Sequence, residues 1–511
     1  MSLRDPDFLD TQSNRPDHAD YASAAALPVL VPDESGALGE SLPAIPVAAD
    51  EFSSEITTIP LTRRALHSEV WQLAWPSVMT MLLQTVNSMM DTLFVGHLPN
   101  GAAALAATGV GGSIMFLMIS LAMGVTVGTT ALVARFTGAN EHENAIHTTG
   151  QSLTLSFVLA AIFGALAYLG RIPLVGLMLD THRNPEATLL CVKFLNASLL
   201  GTIPLFLVNV FHAAFRGIGN TRTPMLVTVA IIGTHITCNA LLIYGLFGFP
   251  KLGVQGAGTA LALSQYVGTA LFLFTMIRFS PLGAALRREH LALRLDWAWR
   301  VLRIGLPASL QAVIRTLGMM SFTGLLARTL EGAAGVAALQ IGIRAEAIAF
   351  MPGFGYSIAA ATLVGQSLGA RDPDRAERYG WAATGQAMLV MSVMAVLYYT
   401  LAWPFAAVFT NDPLVVRLGA EFLRVAAFAE PFFALGVVLT GALQGAGDTL
   451  RPTVITFFVM WILRLPLASW LMFHQHLNAL GAWYAMASTT ALGGVLTVGL
   501  FRSDKWKRIK V

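Results

Sequence analysis

Asp91 is the residue in this chain whose chemistry asks most of its surroundings. It sits in an apolar run, within Gln84-Thr85-Val86-Asn87-Ser88-Met89-Met90-Asp91-Thr92. An ionised carboxylate there is costly unless it is solvated, paired or protonated. Gln84, Asn87, Ser88 and Asp91 fall at i, i+3/i+4 and i+7, which puts one polar face on an otherwise apolar helix. The carboxylate either binds a cation or hydrogen-bonds neighbouring helices. His235 and Asn239 lie four apart in a later apolar run, and Asn209 is a weaker polar candidate in the run before it. Imidazole accepts a proton readily and is a poor Na⁺ ligand, although a single histidine in such a run is equally a packing residue. Arg315, Arg344, Glu346, Glu430 and Arg464 are intramembrane charges further along. The expectation is that they pair, Arg315 or Arg464 with Glu346 or Glu430, and lock the bundle; the alternative is that Glu430, next to Pro431, binds substrate or a proton.

The elements that must hold these residues are membrane helices. A chain of 511 residues with 55% hydrophobic and 12% charged residues and a mean hydropathy of +0.63 is too apolar for an ordinary soluble protein. Its apolar stretches mostly run about 20 residues or more, enough to cross a hydrocarbon core of about 30 Å as a helix. Twelve are expected, starting near Trp71, Ala103, Ile146, Thr188, Thr221, Gly256, Arg300, Ala333, Gly380, Val416, Arg451 and Ala479. The fold class is therefore an all-α integral membrane protein. Residues 1–62 differ, with 11 acidic residues against Arg4 and Arg15, and read as a disordered acidic tail rather than a signal peptide.

Outside that tail, the face holding both termini carries 20 Lys/Arg and the opposite face seven. The positive-inside rule then puts both termini in the cytoplasm. No basic soluble domain exists to bind nucleic acid. Cys191 and Cys238, the two cysteines, are too few for a disulfide framework or a thiolate metal site.

The chain also repeats itself. Gly217-Ile218-Gly219-Asn220-Thr221-Arg222-Thr223-Pro224 returns 228 residues later as Gly445-Ala446-Gly447-Asp448-Thr449-Leu450-Arg451-Pro452, while Leu132 to Ala139 returns 231 residues later as Leu363 to Ala370, and Pro76 matches Pro307 at the same 231 offset. The expected organisation is an N-lobe at 63–278 (helices 1–6), a cytoplasmic linker at 279–299 lying along the interface, and a C-lobe at 300–511 (helices 7–12) ending in a short basic tail. An even number of spans per half makes this a parallel repeat. The Gly-x-Gly-Asn/Asp-Thr sequences read as helix ends and caps, with proline in the next first turn, rather than phosphate loops. At the 231 offset Gln84 aligns with Arg315 and Asp91 with Phe322, so the copies share a scaffold but not a chemistry. Pro76 and Pro204 are hinge candidates or static kinks.

With the duplicated halves, the paired loops and the Gln84 to Thr92 segment, the chain resembles the bacterial multidrug and toxic compound extrusion (MATE) transporters from about Arg63 to Arg502. The resemblance implies two lobes around a V-shaped cleft and export of organic, cationic compounds in exchange for H⁺ or Na⁺ by alternating access. Asp91 matches the family's cation-coupling aspartate in its Asp-Thr context. Asn239, shortly before Tyr244-Gly245, fits the polar pair that completes the site, whereas His235 stands where an amide is expected and leaves the ion open. Some relatives carry an acid eight positions after the helix-seven proline; Arg315 stands there, so a second coupling site in the C-lobe is not expected. Gln84, Asn87, Ser88, Glu430 and Arg315 are cleft candidates.

No cofactor is implied beyond the coupling ion. The implied partners are small organic molecules and the lipid bilayer, with a monomer sufficient in a bacterial cytoplasmic membrane. The rivals are a flippase for a lipid-linked precursor, kept alive by Arg315, Arg344 and Arg464, and a membrane-embedded enzyme, for which no catalytic constellation is found. The His142-Glu143-Asn144-Ala145-Ile146-His147 segment has its histidines five apart, not four, and His474 with His476 lacks a nearby carboxylate, so no metal site is assigned.

Overall fold

The apolar runs fold as helices because in a bilayer each backbone group must be satisfied within its own segment. The computed structural model describes residues 62–179 and 184–509; the acidic segment at 1–61 lies outside them. Twelve long helices follow in order: α1 Arg63–Gly96, α2 Gly101–Gly138 and α3 His142–Met178, α4 Pro185–Gly217, α5 Arg222–Tyr244, α6 Val254–Phe279, α7 Leu295–Leu326, α8 Gly332–Gly369, α9 Pro373–Phe409 and α10 Pro413–Gly445, α11 Leu450–His474 and α12 Asn478–Arg502. Each of the twelve sequence-derived starts falls at or inside one of these helices, or directly before it. Ten are long and apolar enough to cross a membrane. The other two, α1 and α7, run 34 and 32 residues but carry the polar positions that distinguish the two copies.

The repeated loops are helix ends. Gly219 and Gly447 take φ of 89° and 87°, the left-handed region that glycine enters at no cost. Behind them Asn220 Oδ1 accepts from the Thr223 amide at 3.0 Å and Asp448 Oδ1 from the Arg451 amide at 3.4 Å. Three helices depart from regularity. A tight 3₁₀ turn at Leu199–Gly201 breaks α4 just before Pro204, α9 bends at Leu401 ahead of Pro404, and α11 widens into π-helical turns at Phe458–Arg464 and Trp470–His474.

Packing follows the halves, with one exchange. Two apolar clusters draw mainly on α2 to α6 and two on α7 to α12. Yet Leu66, Val70 and Ala74, at the start of α1, are buried in a cluster built from α8, α9, α10 and Phe501 of α12. In return Ala298, Val301 and Ile304, at the start of α7, are buried against α2 to α6. Around this exchange the backbones come close: a Cβ on Gly138 would overlap the Gln366 carbonyl oxygen. Hydrogen bonds cross there too, from Thr362 Oγ1 to the Arg216 carbonyl at 3.1 Å and from Gln366 Nε2 to the Gly217 carbonyl at 2.9 Å. Tyr379 of α9 donates to Glu69 of α1. All these contacts involve the first half of α1, α7 and α9 and the second half of α2, α4 and α8, that is, one end of the bundle. Asp91 lies towards the other end.

The linker is shorter than expected and does not simply lie along an interface. Helix α6 ends at Phe279 and α7 begins at Leu295, with Leu282 and Ala285 between them fully buried. Gln151 of α3 straps the segment down: its Nε2 donates to the carbonyls of His290 and Ala292 at 2.8 and 2.7 Å, and its Oε1 accepts from the Arg294 amide at 2.7 Å. Burial of unpaired backbone would be costly, and one buried amide side chain relieves three such groups.

Candidate functional site

The i, i+4 pairs on α1 and α5 meet. Asn239 Nδ2 donates to Asp91 Oδ1 at 2.6 Å, and His235 Nε2 stands 3.6 Å from the same oxygen. One turn further along α1, the Asn87 amide lies 3.0 to 3.1 Å from His235 Nδ1. Asn239 and His235 are themselves in contact at 3.4 Å. The set is held on two sides: Tyr244 at the end of α5 donates its hydroxyl to the Phe94 carbonyl of α1 at 2.8 Å, and Gly245 ends α5 at φ 73°. Exposure is graded across the site. The Asp91 side chain is 38% accessible while that of His235 is 4%, so the carboxylate is the group an incoming ion meets first. Asn239 is fully buried and its Oδ1 has no hydrogen-bond partner, an acceptor left free beside the carboxylate.

The tautomer logic is restrictive. If Nδ1–H of His235 donates to Asn87 Oδ1, then Nε2 is a bare acceptor facing Asp91 and the Asn239 amide. A proton on Asp91 then has an acceptor within 3.6 Å, and a proton on Nε2 has a carboxylate. The cluster can therefore hold one proton between Asp91 and His235 with Asn87 and Asn239 fixing both orientations.

Other sequence candidates stand apart. Gln84 and Ser88 are exposed, so of the polar face on α1 only Asn87 and Asp91 turn towards α5. Asn209 donates to the Leu205 carbonyl of its own helix at 2.8 Å and has no hydrogen bond to the Asp91 set. Pro76 and Pro204 are both buried within helices, and Thr80 Oγ1 donates to the Pro76 carbonyl at 2.8 Å. Sequence reasoning missed His212, buried on α4 with its Nε2 3.3 Å from Thr228 Oγ1; its spacing of four from buried Arg216 was the available signal.

In the second half the expected lock is absent. Among the described residues no ion pair within 4.0 Å joins Arg315 or Arg464 to Glu346 or Glu430. Arg464 instead donates from Nε to Thr489 Oγ1 at 2.8 Å and from Nη2 to Thr490 Oγ1 at 2.7 Å, both on α12. Neutral hydroxyls satisfy it in directions that the sequence pairing assigned to carboxylates. Arg315 and Arg344 are exposed, whereas Glu430 is 4% exposed and its Oε2 is unpartnered.

Twelve helices in two pseudo-equivalent lobes, with a polar cluster inside one of them, define a polytopic membrane transporter of the duplicated six-helix type. The family model MatE matches residues 76–241 and 307–470, once in each half. The chain belongs to that family, the MATE transporters. It is 29% identical over 448 residues to the "Probable multidrug resistance protein NorM" of Thermotoga maritima, covering 87% of this chain and 94% of that one. It is likewise 29% identical over 465 residues to the "Multidrug resistance protein PmpM" of Pseudomonas aeruginosa, covering 88% and 94%. Among solved structures it matches a multidrug resistance MATE family transporter of the MOP superfamily in an outward-facing conformation, with a TM-score of 0.79, 22% identity and coverage of 87% and 97%. The Vibrio cholerae MATE transporter VcmN, crystallised as an aspartate-to-asparagine mutant, gives a TM-score of 0.79, 20% identity and coverage of 87% and 99%.

Proposed function

We propose that this chain exports organic, cationic drugs or toxic compounds from the cytoplasm by alternating access, and that the exchanged ion is a proton taken up at Asp91. The observation that carries the reading is the position of Asp91: half-exposed, bonded to Asn239 at 2.6 Å and facing an imidazole nitrogen at 3.6 Å. Na⁺ would need several oxygen ligands, and here an imidazole takes one of the places. A proton needs only the carboxylate and the nitrogen.

With the basic face in the cytoplasm, the end of the bundle where α1 packs on α8 and α7 on α2 is the cytoplasmic end, and Asp91 lies towards the outside. This is an outward-facing arrangement, in which an external proton reaches the site. Neutralising Asp91 removes the charge that makes burial costly and so favours a state in which the site is closed to the outside. One charge crossing about 100 mV releases about 2.3 kcal/mol. At about 1.4 kcal/mol per tenfold, that sustains roughly a 50-fold gradient of a neutral solute. The relatives named for multidrug resistance support the substrate class.

Proteoliposomes with an imposed pH or Na⁺ gradient test the reading, with ethidium and a fluoroquinolone as substrates. A pH gradient should drive uptake, a Na⁺ gradient should not, and Asp91→Asn should stop it. Pumping by Asp91→Asn at the parent rate would remove the coupling role.

A further inference from the structure

The C-lobe contains a second carboxylate site that the duplication does not account for. Glu346 on α8 and Glu430 on α10 interact electrostatically, and Glu346 also feels Arg464 of α11. Glu430 is 4% exposed, and its Oε2 has no hydrogen-bond partner. Around the pair, Ala349, Ala395, Tyr398 and Ala427 form a small buried apolar cluster. Tyr398 of α9 lies within electrostatic reach of both glutamates, but its hydroxyl proton is already given to the Ala345 carbonyl at 2.7 Å. It offers them no hydrogen bond.

Counting the charges gives the argument. Two carboxylates against one guanidinium leave one negative charge uncompensated, in apolar surroundings where an unpaired charge is strongly unfavourable. Arg464 cannot turn fully to the acids, since Thr489 and Thr490 hold two of its donors. The other charged side chains on the packed helices, Arg344 on α8, Arg424 on α10 and Arg315 on α7, are exposed and make no ion pair with either glutamate. On α12 the facing groups are hydroxyls. The missing unit is one positive charge. Among the described residues no group of three or more acidic, histidine or cysteine side chains is arranged for a metal ion, and two carboxylates alone make a thin cage for an alkali cation.

We infer that Glu346 and Glu430 form a second proton-binding site, sharing a single proton in the C-lobe at the depth of Arg464. It extends the proton-coupled reading of Asp91 but is separately measurable, because protonation of a carboxyl is visible without transport. The test is infrared difference spectroscopy of the full-length protein in lipid nanodiscs at neutral pH, in the Asp91→Asn background so that Asp91 contributes nothing. The expected result is a protonated-carboxyl C=O band of about one group that shifts in D₂O and is lost in both Glu430→Gln and Glu346→Gln. Either substitution leaves one carboxylate to one guanidinium, so the proton is no longer required. No band in the Asp91→Asn protein, or a band unchanged in the glutamine variants, overturns the inference. Should Glu430→Gln fail to fold, Glu346→Gln decides alone. Loss of transport in Asp91→Asn with the band intact would support both sites; retained transport with the band intact would sink the Asp91 reading and leave this one standing.

Discussion

The outer half of α1 and the outer half of α7 began as copies and now do opposite things. At the 231 offset Asp91 corresponds to Phe322. Asp91 is half-exposed and wired to α5, while Phe322 is fully buried in the core of the second lobe. The divergence extends to the partner helix. His235 and Asn239 correspond, at the 228 offset of the loops, to Leu463 and Leu467 on α11. One lobe has kept a polar seam between its first and fifth helices, and the other has filled the same seam with packing and moved its acids to α8 and α10. Backbone interactions stayed common to both, as the two left-handed glycines and the reciprocal α1 on α8 and α7 on α2 contacts record. Duplication thus conserved what holds the lobes and released what lies inside them.

The strongest way to break this contrast is Asp91→Asn, which should reduce gradient-driven uptake in proteoliposomes to the protein-free background. Transplanting the acid by Phe322→Asp in that variant should not restore uptake. It should also destabilise the protein by about 3 to 5 kcal/mol, the scale for an uncompensated buried charge, seen as earlier loss of monodisperse protein on heating. A survival of uptake in the double variant would mean the lobes are interchangeable. Next, Gly138→Val should force α2 away from Gln366 at a cost of about 1 to 3 kcal/mol. Spin-label distances across that end of the bundle should lengthen; unchanged distances would mean that this approach does not hold the lobes together. His235→Gln keeps a polar partner for Asn87 but removes the titrating nitrogen. Uptake should fall several-fold and lose its dependence on pH between about 5 and 8, and a pH profile identical to the parent's would reduce the histidine to packing. The smallest effect is expected for Thr489→Val, which removes one acceptor from Arg464 and should cost about 1.5 to 3 kcal/mol with uptake retained.

Much of this was legible in the chain because the bilayer simplifies the problem. Twelve apolar runs gave twelve helices, and the four-residue spacings of Asn87 with Asp91 and of His235 with Asn239 gave the two faces that meet. What the spacing left open was rotation: Gln84 and Ser88 share the helical face on paper but turn outward. The second lobe was harder for a definite reason. The π-helical turns of α11 alter the rotation per residue, so a 3.6-residue reading could not aim Arg464, and its threonine partners sit 25 and 26 residues away where no charge marks them. The buried linker was missed because the one residue that straps it, Gln151, lies inside an apolar run.

The exchange of helix starts also sets a schedule for making the protein. Leu66, Val70 and Ala74 find their place only against residues such as Tyr356 and Ala359, which emerge nearly 300 residues later. At a synthesis rate of roughly 5 to 20 residues per second, the first helix waits some tens of seconds, on the order of 15 to 60, with an apolar flank unmatched. The N-terminal six helices can insert as they appear, but they cannot finish packing until the second copy arrives. A chain truncated after its first repeat should therefore carry that flank unsatisfied and be cleared by quality-control proteases, so that two lobes which look like independent units share one assembly step.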